Sequence, residues 1–138
     1  MLKKKLGIEG IETDWYSDEK LINYFKIPST LIIPKDVEGI GDYAFRDCKE
    51  LERVIFSNSN NLKCIWPGAF MDCSKLKKVT IPESVEKIGS GAFWGCYNAT
   101  IILKKCRGDF ESVGNCAFHN VKYVKEKIRS WSYREKVD

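Results

Sequence analysis

Reactive side chains are few in this chain, and their spacing limits what they can do. The single histidine, His119, ends the string Cys116-Ala117-Phe118-His119, with Cys106 ten residues upstream. Cys and His three residues apart have the spacing of half a structural zinc site, but such a site needs four ligands at closely paired spacings. The other cysteines, Cys48, Cys64, Cys73 and Cys96, lie elsewhere in the chain, and Cys116 and His119 are expected to point around a corner from each other. A nucleophilic cysteine needs a thiolate with a base beside it, whereas His119 falls in what reads as a scaffold turn. The chain has no glycine-rich phosphate loop of the Walker or dinucleotide type, no His-Glu-x-x-His and no Gly-x-Ser-x-Gly. Asp47 and Asp72 sit at one phase of a repeat, but solvated turn residues account for them. The expectation is a protein without catalytic residues, metal or cofactor.

The cysteines recur for a structural reason. Ala44-Phe45-Arg46-Asp47-Cys48 returns as Ala69-Phe70-Met71-Asp72-Cys73, as Ala92-Phe93-Trp94-Gly95-Cys96 and, decayed, as Ala117-Phe118-His119-Asn120-Val121, at intervals of 25, 23 and 25 residues. A period in this range marks a solenoid, in which each coil buries its apolar side against its neighbours. Strand-like coils stack about 4.8 Å apart, farther than the ~3.5–4.5 Å between Cβ atoms that a disulfide prefers. Cys48, Cys73 and Cys96 are therefore expected to form a ladder of reduced, buried thiols that resists alkylation.

Composition narrows the function. At 138 residues, 43% hydrophobic and 30% charged, the chain is a single folded domain rather than a disordered one. A net charge of +4, with Lys and Arg interleaved among 19 Asp and Glu, argues against nucleic acid as the partner. No segment approaches the ~20 apolar residues of a membrane helix. Met1-Leu2-Lys3-Lys4-Lys5 resembles the start of a signal peptide, but Glu9 and Glu12 interrupt any apolar run. A cytoplasmic location is expected on this sequence, and the cell surface or secretion if it belongs to a longer exported chain.

The elements that must position any site follow from the repeat. Val37, Ile40-Gly41 and Ala44-Phe45 recur as Leu62, Ile65-Trp66 and Ala69-Phe70, as Val85, Ile88-Gly89 and Ala92-Phe93, and as Phe110, Val113-Gly114 and Ala117-Phe118. Glycine after the Ile or Val suits a corner at positive φ, and Trp66-Pro67 predicts a local irregularity in the second coil. Strands follow the cysteines as Leu51-x-x-Val54-x-Phe56, Leu76-x-x-Val79-x-Ile81 and Ala99-x-x-Ile102-x-Lys104, with Val54, Phe56, Val79 and Ile81 pointing inward. Ser57–Asn61 and Lys105–Asp109 read as polar turns. Residues 1–28 lie outside the repeat. Asp14, Ser17 and Asp18 offer helix caps before Leu21, Ile22, Tyr24 and Phe25, and the segment is expected to cap the first coil rather than to serve as a ligand-gripping arm. At the other end Val121, Val124, Ile128 and Trp131 fall at helical spacing. A helical cap over 125–138 is expected there, in preference to a helix held by a membrane or a partner.

The strings Ile-Pro-x-x-Val-x-x-Ile-Gly-x-x-Ala-Phe-x-x-Cys at 33–48 and 81–96 resemble the BspA-type leucine-rich repeat, over about residues 29–124. The resemblance implies an α/β-type leucine-rich-repeat solenoid of about four coils, mostly short parallel β-strands with turns or 3-10 pieces around Ala-Phe. It also implies adhesion or protein binding, the role of surface proteins with this repeat.

The natural binding face of a solenoid is its rows of outward strand positions. With Leu31, Ile33, Val54, Val79 and Ile81 inward, one outward row is Ile32, Ile55, Thr80 and Leu103, and its neighbour is Thr30, Arg53, Lys78 and Ile101. An apolar row framed by Arg53 and Lys78 looks like a protein-binding patch, although a terminal segment covering it is the alternative. The expected function is non-enzymatic partner binding through Ile32, Arg53, Ile55, Lys78, Thr80, Ile101 and Leu103. A fragment of an adhesin and a self-assembling homo-oligomer are the competing readings.

Overall fold

In the computed structural model, residues 29–127 are described, apart from 34, 36 and 57–60. Long and short strands alternate along the chain. The long ones are β1 (Thr30–Ile33), β3 (Arg53–Phe56), β5 (Lys78–Ile81), β7 (Thr100–Leu103) and β9 (Tyr123–Glu126). The short ones are β2 (Gly39–Ile40), β4 (Cys64–Ile65), β6 (Lys87–Ile88) and β8 (Ser112–Val113). Each set forms its own parallel sheet, in the orders β1-β3-β5-β7-β9 and β2-β4-β6-β8. The fold is thus a β-solenoid of about four coils. A 3-10 turn at Arg107–Asp109 is the only helical piece among the described residues.

The core is built from the repeated positions. Val37, Leu62, Val85 and Phe110 begin each short-sheet arm inside, and Ile40, Ile65 and Ile88 lie buried beyond them. At the corner, Phe45, Phe70 and Phe93 are fully buried and stack with ring centroids 5.3 Å apart, and Phe118 follows at 6.0 Å. Offset aromatic stacks of this kind add about 0.5–1.5 kcal/mol per pair beyond burial. The backbone is stitched at the same points: Phe45 N donates to Ala69 O at 2.7 Å, Phe70 N to Ala92 O at 2.7 Å and Phe93 N to Ala117 O at 2.8 Å. A buried backbone amide needs a partner, and stacking one coil on the next supplies it.

The ladder of thiols is present. Cys48, Cys73 and Cys96 are buried and free, and the Cys73 and Cys96 thiols donate to Phe45 O and Phe70 O of the preceding coil at 3.0 and 3.1 Å.

Three expectations need correction. The glycine after the Ile or Val is not a positive-φ corner. Gly89 and Gly114 are required by close approach, since a Cβ at Gly89 would lie 2.6 Å from Trp66 C and one at Gly114 would lie 2.7 Å from Gly89 C. The left-handed residues sit elsewhere, at two positions per coil. One precedes Ala and holds Tyr43, Gly68, Gly91 and Cys116; the other precedes the cysteine and holds Asp47, Asp72, Gly95 and Asn120. Asp, Asn and Gly tolerate that conformation best, so the stacked pair Asp47 and Asp72 is a consequence of backbone geometry.

The second correction concerns Trp66. Its corner keeps the hydrogen bonds of the others, with Trp66 N donating to Ile40 O at 2.9 Å and Ala69 N to Trp66 O at 3.2 Å, so the expected irregularity does not appear in the hydrogen bonding.

The third concerns the tail. Tyr123–Glu126 is not the start of a helix but a fifth long strand, parallel to β7, with Val124 beside Ile101. Spacing by threes is what the coil itself uses: Cys73, Leu76 and Val79 are spaced as Phe118, Val121 and Val124 are. Once β7 offers its free edge, ladder hydrogen bonds satisfy this segment. The proposed cap over 1–28 and the remainder of the tail from 128 lie outside the described residues.

Candidate functional site

The outward side of the long sheet is set by register. β1 pairs with β3 so that Thr30 lies beside Arg53 and Ile32 beside Ile55. β3 pairs with β5 through Arg53–Lys78 and Val54–Val79. Leu31, Ile33, Val54, Val79 and Ile81 are buried as expected, and Phe56 is half-buried. Five of the seven anticipated site residues therefore share the outward face: Ile32, Arg53, Ile55, Lys78 and Thr80.

Ile101 and Leu103 do not. They are 0% and 2% exposed, and β7 pairs them with the inward Val79 and Ile81. The outward residues of β7 are Thr100, beside Lys78, and Ile102, beside Thr80. The cause is one missing residue. Cys96 to the buried Ala99 matches Cys73 to Leu76, but one residue separates Ala99 from Ile101 where Lys77 and Lys78 separate Leu76 from Val79. A one-residue slip exchanges the two faces of a strand.

The corrected face carries two rows. The first is Ile32, Ile55, Thr80, Ile102 and Lys125; the second is Thr30, Arg53, Lys78, Thr100 and Tyr123. Ile32 and Ile55 are 53% and 40% exposed, unusual for large aliphatic residues on adjacent strands. Among the described residues no carboxylate projects from this face. Acidic residues around it are already engaged: at the corner leading into the strands Glu52 pairs with Lys77 at 2.8 Å and Glu50 with Lys75 at 3.6 Å, and Glu126 at the end of β9 accepts from Arg107 N at 2.8 Å. The hydrogen bond and charge of Lys77 hold the Glu52 carboxyl below its ordinary pKa.

The reactive residues do not assemble into a site. Cys116 and His119 are both exposed on the turn side, where His119 lies edge-on to Trp94 at 5.8 Å, while Cys106 is buried. No group of three or more His, Cys, Asp or Glu within metal-binding reach occurs among the described residues. Burial raises the pKa of the half-buried Cys64, the opposite of an activated thiol. The sequence reading did not single out an exposed aromatic group on the turn side, Tyr43, Trp94 and Tyr97. The signal was the variable residue on either side of Ala-Phe for Tyr43 and Trp94, and the residue after Cys96 for Tyr97. Arg46 stands over the Tyr43 ring at 5.5 Å, so part of this surface packs on itself.

The family model for the BspA-type leucine-rich repeat region matches residues 10–132 in six copies. The chain belongs to the BspA-type leucine-rich repeat family. No curated protein matches this BspA-type chain. Its fold is similar to that in the crystal structure of a leucine-rich cell surface protein from Faecalibacterium prausnitzii A2-165, at 25% identity and a TM-score of 0.49. That alignment covers 78% of this chain and 38% of the other, so this BspA-type chain spans about two fifths of that protein's length. Repeats of this type typically build scaffolds rather than enzymes, and no helix among the described residues is long and apolar enough to cross a membrane.

Proposed function

We propose that this BspA-type solenoid is a non-enzymatic interaction module that holds a protein partner on the outward face of its long sheet. The observation that carries this reading is the exposed pair Ile32 and Ile55, continued by Thr80 and Ile102 on the next strands. Aliphatic side chains fixed in rows by a sheet contribute area to a partner at little entropic cost, because the backbone is already ordered.

The test is affinity capture from the native source with the wild-type chain and with Ile55→Asp plus Ile102→Asp. Circular dichroism of both confirms that they are folded. A specific partner held by the wild type and lost by the variant supports the face, whereas equal capture removes it from consideration.

A second reading, self-association, has its own observation. The far edge of β9 has no neighbouring strand among the described residues, and Tyr123 on it is largely exposed. An open parallel edge is a template for another chain. Light scattering showing a monomer at millimolar concentration would dispose of that reading. The adhesin reading uses the same sheet face and differs in where the chain is displayed.

A further inference from the structure

The outward face has a charge pattern as well as an apolar row. Arg53 and Lys78 stand side by side on adjacent strands, and Lys125 ends the aliphatic row. None of the three makes an ion pair among the described residues, whereas Lys75, Lys77 and Lys87 do. Cations left unmatched beside exposed isoleucines set out a complementary partner: aliphatic side chains with carboxylates along one flank only.

Geometry selects the form of that partner. The rows run across the strands, so side chains repeat every ~4.8 Å along them. An extended chain laid along a row presents same-side residues every ~6.7 Å and falls out of step within two strands. A helix brings its stripe back every ~5.4 Å, a drift of only ~0.6 Å per strand, which keeps it in contact across the four strands that carry Ile32, Ile55, Thr80 and Ile102. A bare polyanion, nucleic acid included, would leave the isoleucine row without apolar contact.

We infer that this face takes an acidic amphipathic helix from a partner protein, laid along the solenoid axis. Its aliphatic stripe rests on Ile32, Ile55, Thr80 and Ile102, and its Asp or Glu flank faces Arg53 and Lys78. The inference rests on the sheet-face reading above and specifies the partner.

The probes are three 18-residue helical peptides, measured by fluorescence anisotropy against the full chain at low salt and at 0.5 M salt. One has a Leu stripe with Glu on one flank, one the same stripe with Lys on that flank, and one the Glu flank with Ala in place of Leu. Two surface ion pairs gained, or two repulsions removed, predict that the Leu–Glu peptide binds at least about fivefold more tightly than the Leu–Lys peptide, and less so at high salt. The Ala–Glu peptide should bind more weakly than the Leu–Glu peptide. Arg53→Glu plus Lys78→Glu should invert the preference.

Equal binding of the two Leu peptides, equal binding with and without the Leu stripe, failure of the Leu–Glu peptide to bind, or a preference that survives the double substitution would each overturn the helix assignment. Partner capture lost in Ile55→Asp plus Ile102→Asp would still leave the face itself standing in those cases. The chain's own residues 8–19 carry five carboxylates and no cation. Carbodiimide cross-links from them to Lys78 in the isolated chain would assign the face to that segment and overturn the inference.

Discussion

At the corner of each coil, side-chain size and backbone conformation are matched residue by residue. Ala lets the backbone fold tightly, Phe fills the interior, and a residue in the left-handed conformation turns the chain before the ladder position, where the Cys73 and Cys96 thiols donate to a carbonyl one coil back. The first prediction follows from close approach. Gly89→Ala should destabilise the fold by about 1–3 kcal/mol or more, because the added methyl meets backbone that has no room to move. Urea unfolding measures this, and a cost within about 0.5 kcal/mol, the range of an ordinary surface change, would contradict the packing. The second concerns Cys73. Hydrogen bonding with the Cys48 thiol, then with Cys96, and then burial hold its pKa well above the ordinary thiol range. The folded state therefore keeps a proton that the unfolded chain releases. This stabilising contribution is complete below about pH 8.5 and declines as pH rises above it. The urea midpoint should fall more steeply between pH 8.5 and 10.5 in the wild type than in Cys73→Ala, and parallel curves would refute it. Cys48, Cys73 and Cys96 should also resist alkylation until the chain unfolds, as peptide-resolved mass spectrometry would show.

Strands and corners were legible in the sequence to different depths. Ala-Phe-x-x-Cys repeats so closely that the core positions Phe45, Phe70 and Phe93 and the inward Val54 and Val79 could be read directly. Two elements were misread because spacing alone is ambiguous. Val121 and Val124 are three apart, as on a helix, yet the coils use the same spacing to pass from a closing corner to a strand. In β7, one residue fewer between Ala99 and Ile101 turned Ile101 and Leu103 inward, which only the pairing with β5 reveals. The element-scale prediction is a test of the stack. Phe70→Ala, in the middle of the ring column, should cost about 3–5 kcal/mol. Thr80→Ala, on the outward face, should cost little. Similar losses from the two would mean that the column is not the core.

The molecule as a whole is a short parallel stack whose interior is repetitive and whose outer face is not. The inward positions of the long strands are Val, Ile and Leu apart from Phe56 on β3 and Glu126 at the end of β9, whereas the outward rows mix isoleucine, threonine, cations and tyrosine from strand to strand. Nearest-neighbour stacking stabilises such a scaffold while leaving its outward residues free to vary. The most direct measurement of the central claim is a cysteine footprint of the captured partner on Ile32→Cys, Ile55→Cys and Ile102→Cys, with Tyr97→Cys on the turn side as the control, read by peptide-resolved mass spectrometry. The sheet-face account predicts rapid alkylation of all four in the free protein and protection of the first three alone when the partner is bound. Protection of Tyr97→Cys with the three sheet positions still reactive would contradict it.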